Sequence, residues 1–354
     1  MDPRSTEPDG YRALRDAVAW ADAGRRRTVL VSGEDAVRFV DGFCTAPLAT
    51  LAPGCGSEAF FPDARGQVLL WATVLRGADG VWIDADPLPS VGNDGEDGAW
   101  SLAAHLERYH IRERLEIADR TDAFAAFSLG GPAAGAWLEN EMPGAVAATV
   151  PGHAIDRMAD AAAGILPGRW GEIPVLVVRG DWLGAGSFLV MVAREDRQRI
   201  VDRLHRTGIV EASAAAVDAV RREEGRPSPR DIPARSLPQE FGRDTRAISF
   251  TKGCYLGQET VARIDALGHV NRRFVGIVTA AEIMDLPATV TQRPGGEQVG
   301  TITSAGPSPR FDGWLGVGLM RTAALAEGVG LEVDGMGARW VELPGRHEVR
   351  GGAT

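Results

Sequence analysis

The sequence predicts an α+β fold finished by a small β-barrel. Three observations lead there. Up to about residue 273, strand-like and helix-like stretches alternate, and several strands are joined by turns short enough for hairpins, which argues against a purely parallel sheet. Beyond Arg273 short β-rich runs recur at regular spacing between Gly- and Pro-rich turns. The length of 354 residues, with 44% hydrophobic and 24% charged residues, is ordinary globular composition with core enough for two or three domains.

Taken in order, residues 1–10 are polar and read as a frayed end. Residues 11–23 carry Leu14, Val18 and Ala21 as a weak helical stripe. Residues 27–31 read as a strand, with Ser32 as N-cap of an amphipathic helix bearing Val37, Phe39, Val40 and Phe43. Residues 59–61 and 67–75 read as strands joined by Pro62-Asp63-Ala64-Arg65-Gly66, and residues 81–84 add another. Residues 87–98 are an acidic, exposed loop. Residues 99–107 are helical, 115–118 and 123–129 are strands, and Gly130-Gly131-Pro132 opens a helix through Leu138. Residues 146–163 fit neither period. Residues 174–179 and 187–192 form a hairpin, and 194–207 a charged helix ended near Gly208.

A helix over 212–222 runs into a stretch where Pro227, Pro229, Pro233 and Pro238 forbid regular structure; such stiff excursions are often functional. Strands follow at 274–278, 298–304, 315–320, 331–333 and 340–343. The predicted organisation is an α+β region over 11–210, a segment over 211–273 that completes its core, a β-barrel over 274–345 and a tail over 346–354.

The net charge of −10 argues against a broad nucleic-acid footprint or an anionic membrane as the main partner. Between Arg221 and Arg273, however, eleven basic residues face seven acidic ones. That excess fits a small anionic ligand or an Arg-rich surface, and charge alone does not separate them. Cys44, Cys55 and Cys254 form no CxxC pattern and no zinc spacing with the six histidines; so low and odd a count fits a reducing compartment. No run is apolar and long enough to span a bilayer, and a soluble cytoplasmic protein is expected.

One stretch demands a chemical explanation: Thr251-Lys252-Gly253-Cys254-Tyr255-Leu256-Gly257-Gln258-Glu259. Of the 38 Lys and Arg residues, every one is Arg except Lys252. Arg is a flat, permanently charged fork and Lys a compact ammonium, so a lone Lys two residues from a Cys suggests a point charge wanted beside a thiol. Gly253 and Gly257 permit tight backbone on either side of Cys254, and residues 258–264 read as a short helix. Cys254 then lies just before a helix N-terminus, close to Lys252, and both features favour thiolate. The alternative is a Gly-punctuated turn around a buried, inert Cys. A Cys254–His269 dyad is a further arrangement, without an identifiable orienting group.

The run from Ile248 through Lys252-Gly253-Cys254-Tyr255-Leu256-Gly257-Gln258-Glu259 to Arg263 resembles the K-G-C-Y-x-G-Q-E signature of the YgfZ family, folate-binding proteins of iron–sulfur metabolism. Arg221 to Pro227 resembles the family's R-x-x-x-G-x-P segment, and Pro238-Gln239-Glu240 its P-x-E segment. The run Gly33 to Val40, with Asp63 and Gly66, resembles the family's N-terminal segment. Val299 to Ser304 with Ser308-Pro309 resembles the barrel of the related aminomethyltransferase of the glycine cleavage system. Departures are Thr45-Ala46, where the family reads T-N, and Gly66-Gln67, where it reads G-R. Aminomethyltransferases place an acidic residue where Cys254 stands, so the Cys argues for the YgfZ branch.

The resemblance implies a ring of two α+β subdomains and a barrel around a tetrahydrofolate site. Glu240 then suits the pterin's donor-rich edge and Arg221 its anionic tail, with Arg263 in the same basic window. Tyr255 packs beside the folate, and Gln258 and Glu259 fix the loop through hydrogen bonds. The implied function is a folate-dependent accessory factor for assembly or repair of iron–sulfur proteins, its partners being those client or assembly proteins, with any effect on tRNA modification indirect. Cys254 is its functional thiol and Lys252 the charge beside it. Two alternatives stand next to it: a one-carbon transferase acting on tetrahydrofolate, for which Asp63 is the weakly supported carboxylate, and a folate-binding module whose Cys is structural.

Overall fold

The computed structural model describes residues 7–87, 101–143, 163–184, 186–293 and 296–344. Among them, eleven strands form one continuous sheet and six close into a barrel. The sheet strands are β1 (Ala19–Asp22), β2 (Arg27–Ser32), β3 (Cys55–Pro62), β4 (Val68–Arg76), β5 (Val81–Ala85), β6 (Glu116–Asp119), β7 (Phe124–Gly130), β8 (Ala163–Trp170), β9 (Ile173–Gly180), β10 (Ser187–Ala193) and β11 (Val210–Glu211). Their spatial order is β11-β1-β7-β10-β9-β8-β3-β4-β5-β2-β6. Only β1 against β11 is parallel.

The sheet has two halves, each with its own core. Helices Ala36–Asp41 and Leu102–Glu107 cover the β3–β6 half over Val31, Val40, Phe61 and Ile83. Helices Ala134–Glu141 and Arg197–Thr207 cover the other over Trp20, Phe127, Trp170 and Leu204. The halves meet where β3 pairs with β8, at Cys55–Gly164 and Gly56–Ala163. A third core, including Leu14, Leu30, Leu189 and Ala216, brings in helix Ala214–Glu223. Most sheet strands are buried along nearly their whole length, as their near-continuous apolar runs require, and that burial is the main favourable term in folding.

The barrel strands are β12 (Arg272–Thr279), β13 (Ala288–Arg293), β14 (Gln298–Ser308), β15 (Gly313–Arg321), β16 (Gly330–Val333) and β17 (Met336–Val341), closed in the order β12-β15-β14-β13-β16-β17. Closure removes every unpaired edge. The interior holds Ile277, Val290, Ile302 and Met320. A separate cluster packs the barrel exterior on the sheet: Phe60, Val68 and Trp71 from the hairpin, Tyr255 and Val261 from the motif, Phe274 and Leu315 from the barrel.

Several expectations are corrected. Helix occupies only Tyr11–Asp16; the following residues form β1, because Ala19 to Asp22 pair along β7 and that ladder overrides a weak helical stripe. Ser32 ends β2 and caps nothing; the helix starts at Ala36, and the Asp35 carboxylate beside it accepts from the Arg114 N–H at 2.9 Å. The helix after Gly130-Gly131-Pro132 begins at Ala134 and runs to Glu141. β8 lies at the end of the stretch that fitted neither period and carries Pro167. Residues 88–100 and 144–162, including most of the expected acidic loop, lie outside the described residues.

The proline excursion holds two single 3₁₀ turns, Pro229–Asp231 and Pro238–Phe241. It is stitched down by Asp231, fully buried, which accepts from the Ser228 N–H and hydroxyl, from Arg221, and from the Thr303 and Ser304 hydroxyls of β14. The Ser236 carbonyl accepts from the Val68 N–H at 2.8 Å. No described helix is long and apolar enough to cross a membrane.

Candidate functional site

The motif is locked to the N-terminal hairpin by two glycines. Gly257, at φ 78°, is the N-cap of helix Gln258–Leu267. A Cβ there would sit 2.3 Å from the Asp63 carbonyl oxygen and 2.9 Å from the Cα of Gly66. Gly66, also at φ 78°, leaves no room either: its Cβ would lie 2.7 Å from that of Thr260. The Asp63 side chain shapes this turn by accepting from the Arg65 and Gln67 N–H groups, both at 2.8 Å. Only glycine permits both the left-handed backbone and the close approach.

Lys252 explains why one lysine stands among arginines. Its ammonium donates to the carbonyls of Asp41 at 2.7 Å, Cys44 at 3.0 Å and Ala46 at 2.6 Å, and lies 3.0 Å from the Asp41 carboxylate. It also sits 5.3 Å from the centroid of the Tyr255 ring. The side chain is 3% exposed. Three carbonyls converging on one nitrogen suit a compact ammonium and not a planar fork. The Ser249 N–H to Thr45 carbonyl and Leu256 N–H to Gly42 carbonyl bonds, each 2.9 Å, run alongside. The motif thus clamps the segment after helix Ala36–Asp41.

This corrects the expected pairing. Lys252 points inward to that clamp, whereas Cys254 is exposed. The thiol near the ammonium is Cys44, fully buried, which donates to the Ala46 carbonyl at 3.6 Å. Burial pushes the Cys44 thiol up to about 11, against the pull of Lys252. His269 does not pair with Cys254; its Nδ1 faces the Leu267 carbonyl at 3.0 Å. Cys254 is free and not the buried thiol of the inert-turn alternative.

The other predicted residues are dispersed. Arg221 is committed to Asp218 and Asp231, each at 2.8 Å, and to the Arg226 carbonyl. Glu240 binds Arg272 at 2.8 and 2.9 Å and accepts from the Leu237 N–H at 2.9 Å. Both are buried or nearly so and engaged in ion pairs. Tyr255 is buried in the cluster that joins hairpin and barrel, its hydroxyl pushed up to about 12 by burial and then by Cys44. Gln258 is half-buried, and Glu259 and Arg263 are exposed. Neither Gln258 nor Glu259 makes a side-chain hydrogen bond among the described residues; the loop is held by Gly257 and Lys252 instead.

A pocket among the described residues lies elsewhere, between the hairpin and the proline excursion. It measures about 230 Å³ and is lined by Val68, Leu69, Leu70, Trp71 and Arg27, by Asp86, and by Pro229 and Ile232. Behind it is a buried charged network. Asp86 accepts from Arg26 at 2.8 Å and from Arg226 at 3.4 Å. Arg26 also chelates Asp84, fully buried beside it, at 2.9 and 2.5 Å. Burial opposes the charge on Asp86, but Arg226 and Arg26 outweigh it and hold the carboxyl well below the usual carboxylate range. Arg226 and Arg243 lie 4.3 Å and 5.1 Å from the Trp71 ring centroid, and Arg243 is fixed by Glu58. The Trp71 Nε1–H is buried with no partner among the described residues.

The pocket therefore offers an apolar wall, one ionised carboxylate, Asp86, and the side chain of Arg27, while the Trp71 Nε1–H is enclosed behind the wall. That set fits the polar edge of a pterin, which presents adjacent N–H donors and a carbonyl acceptor. Its volume suits such a bicycle; pockets that bury a whole drug-sized ligand are roughly 300–1,000 Å³. Trp71, Asp86 and Ile232 were not singled out in the sequence, although the proline excursion was. A Trp on the strand beyond a glycine turn was the available signal.

An α+β sheet of two halves, locked through a glycine-hinged motif to a closed six-stranded barrel, with a pocket under a proline-rich excursion, defines a class of two-part α+β and barrel scaffold. Residues 6–252 match the GCVT N-terminal domain family and residues 272–344 the glycine cleavage T-protein C-terminal barrel domain family. The chain belongs to this GcvT-like family. It is 28% identical over 250 residues to the tRNA-modifying protein YgfZ of Cronobacter sakazakii, covering 69% of this chain and 65% of that protein. It is 26% identical over 349 residues to an aminomethyltransferase of Symbiobacterium thermophilum, covering 94% and 88%. The crystal structure of the glycine cleavage system aminomethyltransferase T from Bartonella henselae superposes with a TM-score of 0.74 at 20% identity, covering 94% of this chain and 88% of that one, a likeness of fold.

Proposed function

We propose that this chain binds a tetrahydrofolate in the pocket between β4 and the proline excursion, and that it serves iron–sulfur proteins as an accessory factor in the cytoplasm. The observation that carries the folate reading is the pairing of an apolar pocket with the clamped carboxylate of Asp86. Asp86 would accept from the pterin's amino group and ring N–H. Leu69 and Ile232 would cover its faces. The remainder of the folate would extend outward, where Arg230, exposed beside Pro229, suits its carboxylate tail. When bound, a reduced folate supplies one-carbon units or an oxidisable ring.

Two features favour an accessory role over a one-carbon transferase. A carboxylate held well below its usual range is a weak base, and Asp86 is the carboxylate in this pocket. Asp63, the other sequence candidate, uses its carboxylate to cap the hairpin turn. Cys254 stands exposed on the motif, open to a partner. One thiol supplies one ligand and an iron–sulfur cluster takes several, so the remaining ligands come from the client. A relative named for tRNA modification fits this reading through iron–sulfur enzymes that act on tRNA.

The test is a titration of wild-type protein with 5-formyltetrahydrofolate beside Leu69→Trp, which fills the pocket from a half-buried strand position. Wild type should bind at one site and the variant at least tenfold more weakly. Equal binding would remove the pocket from the reading. Cys254→Ser should keep folate affinity and lose the support of client iron–sulfur enzymes in cells; full support would return the thiol to a structural role. Turnover of methylene-tetrahydrofolate would favour the transferase.

A further inference from the structure

Arg27 and Asp86 are the charged residues that line the pocket, and their side chains do not pair with each other. Arg27 opens β2 opposite Ala85, which brings it next to Asp86. Its Nε–H donates to the Asp86 backbone carbonyl at 2.9 Å. The Asp86 carboxylate turns instead to Arg26 at 2.8 Å and Arg226 at 3.4 Å. Among the described residues the Arg27 Nη groups have no acceptor, and its guanidinium is in no ion pair. The balance of charge agrees. Asp84 and Asp86 are matched by Arg26 and Arg226, and Glu58 by Arg243. Arg27 is left as the uncompensated cation at the pocket. It is half-buried, and burial works against its charge more than Asp86 supports it. A guanidinium so placed, with N–H groups unspent, is completed by an electron-rich oxygen.

The kind of oxygen follows from the neighbour. Asp86 lines the same pocket as an ionised carboxylate and can only accept, whereas Arg27 can only donate. A carboxylate on the ligand would suit Arg27, but it would bring a second negative charge up to Asp86 and offer it no donor. A ring amide, with N–H and C=O side by side, suits both at once. A 2-amino-4-oxopteridine has such an edge: its amino group and ring N–H face a carboxylate, and its carbonyl oxygen lies next to them. We propose that the Nη groups of Arg27 donate to the 4-oxo oxygen of the bound pterin, so that Arg27 selects a 4-oxo over a 4-amino pteridine. This rests on the folate reading above. Arg27 is here a specificity-determining residue, because a 4-amino group would set N–H against N–H.

Folic acid and aminopterin provide the probes, since they differ at the 4-oxo and 4-amino groups and share the glutamate tail. Their dissociation constants are measured on wild type, Arg27→Gln and Arg27→Lys. Wild type should prefer folic acid by about tenfold or more, a factor that corresponds to about 1.4 kcal/mol. Arg27→Gln, whose amide can turn either its oxygen or its NH₂ to the ligand, should bring the ratio within about threefold. Arg27→Lys keeps a cationic donor and should hold the ratio above about threefold. If Arg27 served the tail instead, Arg27→Gln would weaken both compounds alike and leave the ratio unchanged, which would overturn the proposal. Folic acid labelled with ¹³C at the 4-position gives a second readout that needs no variant. Donation to the oxygen should move that resonance downfield on binding to wild type. Equal affinities in wild type, or no downfield shift in bound folic acid, would also overturn the role of Arg27. Wild type that binds neither compound would instead remove the folate reading.

Discussion

Replacing Lys252 by Met keeps the length and apolar stem of the side chain and removes its charge. The carbonyls of Asp41, Cys44 and Ala46 then lose a donor at 2.7, 3.0 and 2.6 Å, and the Asp41 carboxylate loses its cation. A buried acceptor left alone costs roughly 1–3 kcal/mol, and breaking one side of a buried ion pair roughly 3–5 kcal/mol. These terms share one ammonium and do not add. Asp41 is 15% exposed and keeps a bond from the Ala49 N–H, so water and that bond recover part of the loss. A net destabilisation of about 3–4 kcal/mol results, a large part of the ~5–15 kcal/mol that holds a typical domain folded. Lys252→Arg should recover only part of it, because a planar fork spreads donors that here must converge. Urea unfolding of the three proteins with an unchanged m value reads the effect. In folded K252M protein, alkylation of Cys254 at fixed pH should stay within about twofold of wild type, while Cys44 becomes easier to label as its segment loosens. A K252M protein within about 1 kcal/mol of wild type, whose Cys254 reacts tenfold more slowly, would refute this and make the ammonium a partner of the thiol.

Gly257→Ala should cost at least about 2 kcal/mol, since its Cβ meets the Asp63 carbonyl at 2.3 Å on a left-handed backbone, whereas Gly253→Ala, with nothing within 4 Å, should stay within about 0.5 kcal/mol in the same unfolding assay. Asp244 carries a carboxyl pushed up to about 6 by burial and then by Asp265. Between about pH 4 and 6 the native state keeps a proton that the unfolded chain has lost, so this group's contribution is full below pH 4 and is lost as pH rises to 6. Asp244→Asn removes that slope, and its melting temperature relative to wild type should climb across pH 4–6 and level off above; a parallel pair of curves would contradict it. In native protein Cys44, buried and pushed up to about 11, should resist iodoacetamide at pH 8 while the exposed Cys254 reacts, as mass spectrometry of labelled peptides would read.

Much of the architecture was legible because it rests on local pattern. The hairpin around Gly66, the helix ending near Gly208 and the β-rich end after Arg273 all follow from alternation and turn residues. The stretch over 11–23 misled because β1 owes its state to Phe127 and Leu129 on β7, more than a hundred residues away. Lys252 was conspicuous by its rarity, but its partners are backbone carbonyls of residues 41, 44 and 46, which carry no side-chain signature. Proximity in sequence put it beside Cys254; packing put it beside Cys44. Arg221 and Glu240 had the right charges for a ligand, and ion pairs with Asp218, Asp231 and Arg272 absorb them. Trp71 read only as a strand residue and Asp86 carried no motif, since Arg226 and Arg243, which set their environment, come from more than a hundred residues further along the chain.

A crystal structure of the protein soaked with 5-formyltetrahydrofolate locates the ligand directly. Pterin density should lie against Val68 to Trp71, with its amino edge within hydrogen-bond distance of the Asp86 carboxylate. Density at full ligand occupancy on another face, or an empty pocket in crystals grown with saturating ligand, would contradict it.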